Sequence, residues 1–98
     1  MGVHIVRLFT RSPVECIARV RLENTAFFMV LVVELSQGGC RLQTDEPLAP
    51  GTHIALKLPD LDELSAKVIW HVDQNVGCAF AQPISAPNVR HTIEASMI

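Results

Sequence analysis

Short segments in which apolar and polar residues alternate recur along this chain of 98 residues, and their period of two constrains the fold more than any other feature. Residues 14–22 carry an apolar residue at every second position, with mostly charged residues between them. Further segments of strand length follow after turns rich in Gly, Pro, Asn and Asp, at residues 27–33, 40–44, 54–58, 66–72 and 76–80. Six short strands at this spacing predict an all-β domain, either a small barrel or a sandwich.

Two strands carry more specific expectations. Residues 27–33 are almost entirely apolar, which predicts a strand covered on both faces. Trp70, the single tryptophan, shares strand parity with Val68 and Val72, and this favours a place in the core. The alternative is a position at the barrel rim, where the ring could stack on a ligand.

The end of the chain is predicted to be a short C-terminal α-helix over residues 86–97. Ser85 is a candidate N-cap, and Pro87 lies near the first helical position, where proline is tolerated. Val89, Ile93 and Met97 follow at four-residue steps, so one face of this helix is expected to pack on the barrel.

Composition limits the class of protein. The net charge is −2 and the pI is near 6.0, which argues against binding to long nucleic acids. Cys16, Cys40 and Cys78 lack disulfide or zinc-site spacing, so each is expected to be a free core residue in a reducing compartment. The apolar run at residues 26–33 is far too short to cross a bilayer. We therefore expect a cytoplasmic protein without membrane insertion.

Two arginines near the N-terminus form the first candidate motif. Arg7 and Arg11 stand four residues apart, just before Ser12 and Pro13, which stiffen the entry to the first strand. A guanidinium group can grip a phosphate with two hydrogen bonds, bond to the O6/N7 edge of guanine, or stack on a purine. The alternative is two solvated arginines on a mobile arm.

The second candidate motif follows the apolar strand and comprises Glu34, Ser36, Gly38 and Gly39. A carboxylate at Glu34 could accept hydrogen bonds from the N1 and N2 protons of guanine. The Ser36 hydroxyl could donate to a phosphate or cap a turn, and the two glycines could adopt positive φ and let a ligand approach the main chain. The alternative is a polar turn or bulge that binds nothing.

No residue pattern points to catalysis. Ser36 lacks the context of a nucleophile elbow, and the cysteines have no histidine near them in sequence. The acidic loop at residues 60–63 lacks the glycine and the ligand spacing of a calcium loop. We therefore expect a binding module and not an enzyme, with neither a metal nor a cofactor.

Taken together, these motifs resemble the PilZ domain family of bacterial receptors for the second messenger cyclic di-GMP. The family's RxxxR motif is matched by Arg7 and Arg11, and its [D/N]xSxxG motif aligns with Glu34, Ser36 and Gly39. The likeness continues through residues 39–42, 48–51, 66–70 and 76–80, and so covers the chain from Arg7 to Phe80.

The resemblance implies a six-stranded antiparallel β-barrel of the PilZ, split-barrel type, followed by a helix. It divides residues 1–98, a single domain, into a flexible arm at 1–12, a barrel at 13–81 and a helix at 86–97. It also implies that Arg7 and Arg11 wrap cyclic di-GMP while Glu34, Ser36, Gly38 and Gly39 receive a guanine. Ordering of the arm would then signal to a protein partner.

The chain departs from the family pattern at two positions. Glu34 stands where the family has Asp or Asn, and Val6 precedes Arg7 where many members carry a further arginine. These departures, with the apolar content of 49%, motivate a second hypothesis. It is a PilZ-like adaptor that ignores the nucleotide and binds a motility, pilus or secretion protein through an apolar surface.

Overall fold

A computed structural model of the chain describes residues 10–23 and 25–96. Six strands and one helix follow in the order expected from the alternating segments. The strands are β1 (Ser12–Arg21), β2 (Phe28–Leu35), β3 (Gly39–Gln43), β4 (His53–Lys57), β5 (Leu64–Val72) and β6 (Asn75–Phe80), and the helix is α1 (Ala86–Ser96).

The strands close into an antiparallel barrel with the order β1-β2-β3-β6-β5-β4. This confirms the predicted fold class. Closure depends on β1, which pairs with β2 over most of its length and with β4 only from Arg19 to Arg21. A closed barrel leaves few unpaired edges, which suits so short a chain.

The alternating residues of each strand point inward and form one continuous core. The core residues contributed by the strands are Val14, Cys16, Ala18, Val20, Val30, Val32, Leu35, Cys40, Leu42, Ile54, Leu56, Ala66, Val68, Val76, Cys78 and Phe80. All three cysteines are therefore buried and free, as the sequence indicated.

Helix α1 begins as the sequence predicted and packs against β1. The Ser85 hydroxyl accepts a hydrogen bond from the Asn88 amide at 3.1 Å, which satisfies one of the main-chain donors at the helix start. Val89 is buried and Ile93 is partly buried against the core, whereas Met97 lies outside the described residues.

One expectation about the strands is wrong. The outer face of β2 is not covered, because Met29 is 61% exposed and Phe27, just before the strand, is also exposed. The apolar run of β2 instead divides between the core and the surface, where the guanidinium groups of Arg19 and Arg21 lie over the Phe27 ring.

Candidate functional site

A β-bulge in β2 places Glu34 on the outer surface of the barrel. Val32 pairs with Leu42 of β3, but the next pair is Glu34 with Arg41, so Val33 is an extra residue. Strict alternation from the buried Val32 would have turned Glu34 into the core. The bulge reverses this parity and sends Leu35 inward, where it is fully buried.

The second arginine of the RxxxR motif reaches this carboxylate. Arg11 Nη1 lies 3.0 Å from Glu34 Oε1, and both side chains are partly exposed. The two residues are 23 positions apart in the chain, so the pairing of β1 with β2 joins the two sequence motifs. Arg7 lies outside the described residues.

Ser36 caps the turn that connects β2 to β3. Its hydroxyl oxygen accepts hydrogen bonds from the amides of Gly38 and Gly39, each at 3.2 Å, and donates to the Gly39 carbonyl at 3.3 Å. These bonds use the whole hydrogen-bonding capacity of a hydroxyl. Of the two roles that the sequence left open for Ser36, the structure displays the turn cap.

Neither Gly38 nor Gly39 adopts positive φ, and Gly39 instead serves close packing. A Cβ on Gly39 would lie 2.2 Å from the carbonyl oxygen of Cys78 on β6, so no side chain fits there. The Gly38 carbonyl accepts a hydrogen bond from the Phe80 amide at 2.9 Å. The turn is therefore held tightly against β6, and its conformation is fixed before any ligand arrives.

Five residues on neighbouring strands form a row across the outer surface. Trp70 of β5 pairs with Gly77 of β6, Gly77 with Arg41 of β3, Arg41 with Glu34 of β2, and Glu34 with Pro13 of β1. Directly paired residues of antiparallel strands project from the same face. Trp70 and Glu34 are thus three strand spacings apart, roughly 14 Å.

Trp70 does not lie in the core, so the favoured sequence prediction for this residue is wrong. A bulge at Ile69 moves it to the outside, because Val68 pairs with Cys78 whereas Trp70 pairs with Gly77. Trp70 is 39% exposed, and its indole occupies the space above Gly77, where an added Cβ would lie 2.2 Å from Nε1.

Arg41 is a site residue that the sequence motifs did not single out. Its Nη1 donates to Asn75 Oδ1 at 2.8 Å, and Gln43 Nε2 donates to the same oxygen at 3.2 Å. Arg41 is half-buried, and Asn75 holds its guanidinium on the side away from Glu34. Its outward position on β3, next to a motif carboxylate, was the only signal that could have identified it.

The next row along the same face contains small residues. Gly39 pairs with Ala79 and Ala79 with Lys67, whose side chain is exposed. Gly39 and Ala79 therefore form a shallow floor on which no side chain is larger than a methyl group, and the Trp70 indole covers the neighbouring Gly77. Around it stand Trp70, Arg41, Glu34 and Lys67. We call this region the floor surface.

Two thiols lie beneath the floor surface, on the inner sides of β3 and β6. Cys40 and Cys78 are cross-strand partners. The hydrogen bond with Cys78 raises the pKa of the Cys40 thiol, and burial raises it further. The Cys40 thiol, held protonated inside the core, is a poor nucleophile and contributes packing, whereas the same hydrogen bond lowers the pKa of the Cys78 thiol against the opposing effect of burial.

The floor surface therefore combines a carboxylate acceptor, several cationic donors, an aromatic ring and small residues at its centre. Such a set can bind a planar, polar ring that carries phosphates.

Among the described residues, no cluster of three or more His, Cys, Asp or Glu side chains is arranged to hold a metal ion. No helix in the described part of the chain is long and apolar enough to cross a membrane.

Comparisons with known proteins agree with this fold. A sequence model of the PilZ domain matches residues 5–97. Among solved structures, the crystal structure of the PilZ domain of CeSA from a cellulose-synthesizing bacterium is similar, with a TM-score of 0.60. The two chains are 16% identical, and the match covers 87% of this chain and 91% of the other. No curated protein matches the chain in sequence.

Proposed function

This chain belongs to the PilZ domain family, and on that basis we propose that it is a cytoplasmic, non-enzymatic receptor that binds cyclic di-GMP on the floor surface. The observation that carries the proposal is the contact of 3.0 Å between Arg11 and Glu34. It brings one residue from each of the two PilZ motifs to the same patch of the barrel. A reducing compartment is consistent with three free, buried cysteines.

Each part of the ligand has a chemical counterpart here. Glu34 would accept hydrogen bonds from the N1 and N2 protons of a guanine, and Arg7 and Arg11 would pair with phosphates. Trp70 would stack on a base, and the absence of side chains on Gly38 and Gly39 would let the ligand approach the turn that Ser36 holds.

Binding would require the Arg11–Glu34 pair to reorganise. The pair is partly exposed, with side-chain exposures of 45% and 26%, and such pairs contribute only about 0–1 kcal/mol. A ligand that offers a phosphate to Arg11 and two N–H donors to Glu34 would replace the pair at small cost. Arg11 would then carry the arm at residues 1–12 onto the ligand, and the altered surface would be read by a protein partner.

Calorimetric titration with cyclic di-GMP tests the proposal. We expect the wild-type protein to bind, and Arg7→Ala and Arg11→Ala each to weaken binding by tenfold or more. Arg90→Ala is the matched control, since Arg90 is an exposed arginine on α1, away from the floor surface. Absence of binding by the wild-type protein at tens of micromolar would contradict the proposal, as would equal losses in all three variants.

A second candidate function is supported by one specific feature, an exposed apolar patch on β1 and β2. Ile17 and Met29 are more than half exposed, and they line a surface groove of about 390 Å³ that also contains Pro59. The guanidinium of Arg19, which pairs with Met29 across the strands, lies 5.4 Å from the ring centre of Phe27. Exposed apolar patches of this kind mark protein-binding surfaces.

In this second reading the chain is an adaptor that binds a motility, pilus or secretion protein without the nucleotide. The deciding result would be a wild-type protein that ignores cyclic di-GMP but binds one defined partner of this kind. The Ile17→Lys and Met29→Lys variants should then lose that partner. Val72→Lys is the control, because Val72 is equally exposed but lies outside the groove.

A further inference from the structure

We propose that Glu34 and Arg41 together read one guanine, and that Arg41 makes the floor surface select guanine over adenine. This inference rests on the proposed function and adds a specificity-determining residue that lies in neither PilZ motif. It starts from one geometric fact, which is that Glu34 and Arg41 are direct partners on β2 and β3. Side chains of such partners start roughly 5 Å apart on the same face.

The Glu34 and Arg41 side chains do not form an ion pair with each other. Among the described residues, Glu34 forms an ion pair with Arg11, and no carboxylate pairs with Arg41. Arg41 is instead held by the neutral side chain of Asn75 through Nη1. A guanidinium has five N–H donors, so most of them remain for a ligand, while the Asn75 contact restricts how the group can turn.

This arrangement matches the hydrogen-bonding edge of guanine. Guanine presents O6 and N7 as acceptors, and beside O6 the N1 and N2 protons as donors. Arginine binds O6 and N7 with two parallel hydrogen bonds, and a carboxylate accepts from N1 and N2. A carboxylate and a guanidinium on adjacent strands can therefore engage both parts of one base.

Adenine offers the opposite pattern at these positions. Its N6 amino group would face the guanidinium, donor against donor, and its unprotonated N1 would face the Glu34 carboxylate, acceptor against acceptor. A site built to pair with a group rejects the analogue that leaves its polar atoms unpaired.

The test compares two ligands that differ only in their bases, cyclic di-GMP and cyclic di-AMP. Arg41→Met keeps a long side chain but removes every N–H donor to O6 and N7, and Arg90→Met is the matched control on α1. We expect Arg41→Met to lose about tenfold or more in affinity for cyclic di-GMP and little for cyclic di-AMP, so the preference for guanine falls. One bidentate contact provides roughly 5- to 150-fold discrimination between bases. Arg90→Met should leave both affinities unchanged.

A second measurement uses the 7-deazaguanine analogue of cyclic di-GMP, which lacks N7 but keeps the phosphates and the N1–N2 edge. The wild-type protein should bind this analogue more weakly than cyclic di-GMP, and Arg41→Met should bind the two equally. The inference is overturned if the wild-type protein binds cyclic di-GMP but Arg41→Met keeps the same base preference, or weakens both natural ligands equally. If the wild-type protein binds neither ligand, the proposed function fails, and this inference fails with it.

Discussion

The indole of Trp70 lies against the main chain of Gly77, its partner on the neighbouring strand, so closely that a Cβ on Gly77 would lie 2.2 Å from the indole nitrogen. This contact depends on two features at once. The bulge at Ile69 turns Trp70 outward, and the missing side chain on Gly77 lets the ring lie flat on β6. Because the chain contains a single tryptophan, its fluorescence reports this contact alone.

Gly77→Ala should lift the indole from β6. Since the added methyl group would occupy the position of the ring, Trp70 should move into solvent, with emission at longer wavelength and stronger quenching by acrylamide. Cyclic di-GMP should also bind more weakly, because the stacking surface is displaced. Gly51→Ala is the control, since no heavy atom lies within 4 Å of a Cβ at that position. An unchanged emission spectrum for Gly77→Ala would refute the contact.

Glu34→Asp tests the departure from the family motif. The shorter side chain withdraws the carboxylate by about 1.5 Å, one carbon–carbon bond, and should weaken the contact with Arg11. Because a partly exposed pair contributes at most about 1 kcal/mol, release of Arg11 should tighten cyclic di-GMP binding by about fivefold or less. Glu34→Met should weaken binding instead, since this side chain of similar length has no oxygen to accept the N1 and N2 protons of guanine. If both variants bind as the wild type does, Glu34 does not contact the ligand.

Ser36→Ala should weaken ligand binding indirectly, by destabilising the turn between β2 and β3. The substitution leaves the Gly38 and Gly39 amides without their acceptor at a nearly buried position, which should cost about 1–3 kcal/mol of folding free energy. Urea denaturation measures this loss, and Ser65→Ala is the control at an exposed strand position. We expect ligand affinity to fall together with stability. A variant that loses affinity at full stability would instead indicate a direct contact between the Ser36 hydroxyl and the ligand.

Gly39 and Gly51 should respond differently to alanine. At Gly39 the new Cβ would meet the Cys78 carbonyl oxygen, and main-chain atoms cannot move without disturbing the β3–β6 pairing. We expect Gly39→Ala to lower the free energy of unfolding by about 2 kcal/mol or more. Gly51 has a φ of 94° but open space around it, so Gly51→Ala should cost about 1 kcal/mol. A smaller loss at Gly39 than at Gly51 would contradict the close approach of the turn to β6.

The alternating pattern was sufficient to predict six strands of an all-β domain, because a period of two records which residues face a core, and the resemblance to the PilZ family identified that domain as a barrel. The helix start at Ser85 was equally readable, since N-cap chemistry is local. What the pattern could not reveal were the bulges. The extra residue at Val33 or Ile69 reverses which face of the sheet each later residue of that strand points to, and no residue type signals this reversal. For this reason Trp70 was predicted in the core and lies on the surface.

Only those residues of the candidate site that belong to one of the two motifs could be predicted from the sequence. Arg11 and Glu34 were identified as parts of two motifs, and strand pairing brings them together. Arg41 was missed because its importance depends on register, which makes it the partner of Glu34 on one side and of Gly77 on the other. Register follows from closure of the whole barrel, and local sequence does not encode it.

The most direct test of the proposed function is a titration of the ¹⁵N-labelled protein with cyclic di-GMP, followed by amide and indole NMR shifts. We expect saturable changes at Gly38, Gly39, Arg41 and the Trp70 indole, and none at Met29 on the apolar patch of β1 and β2. No change at a large excess of nucleotide would contradict the account, and so would changes confined to that patch.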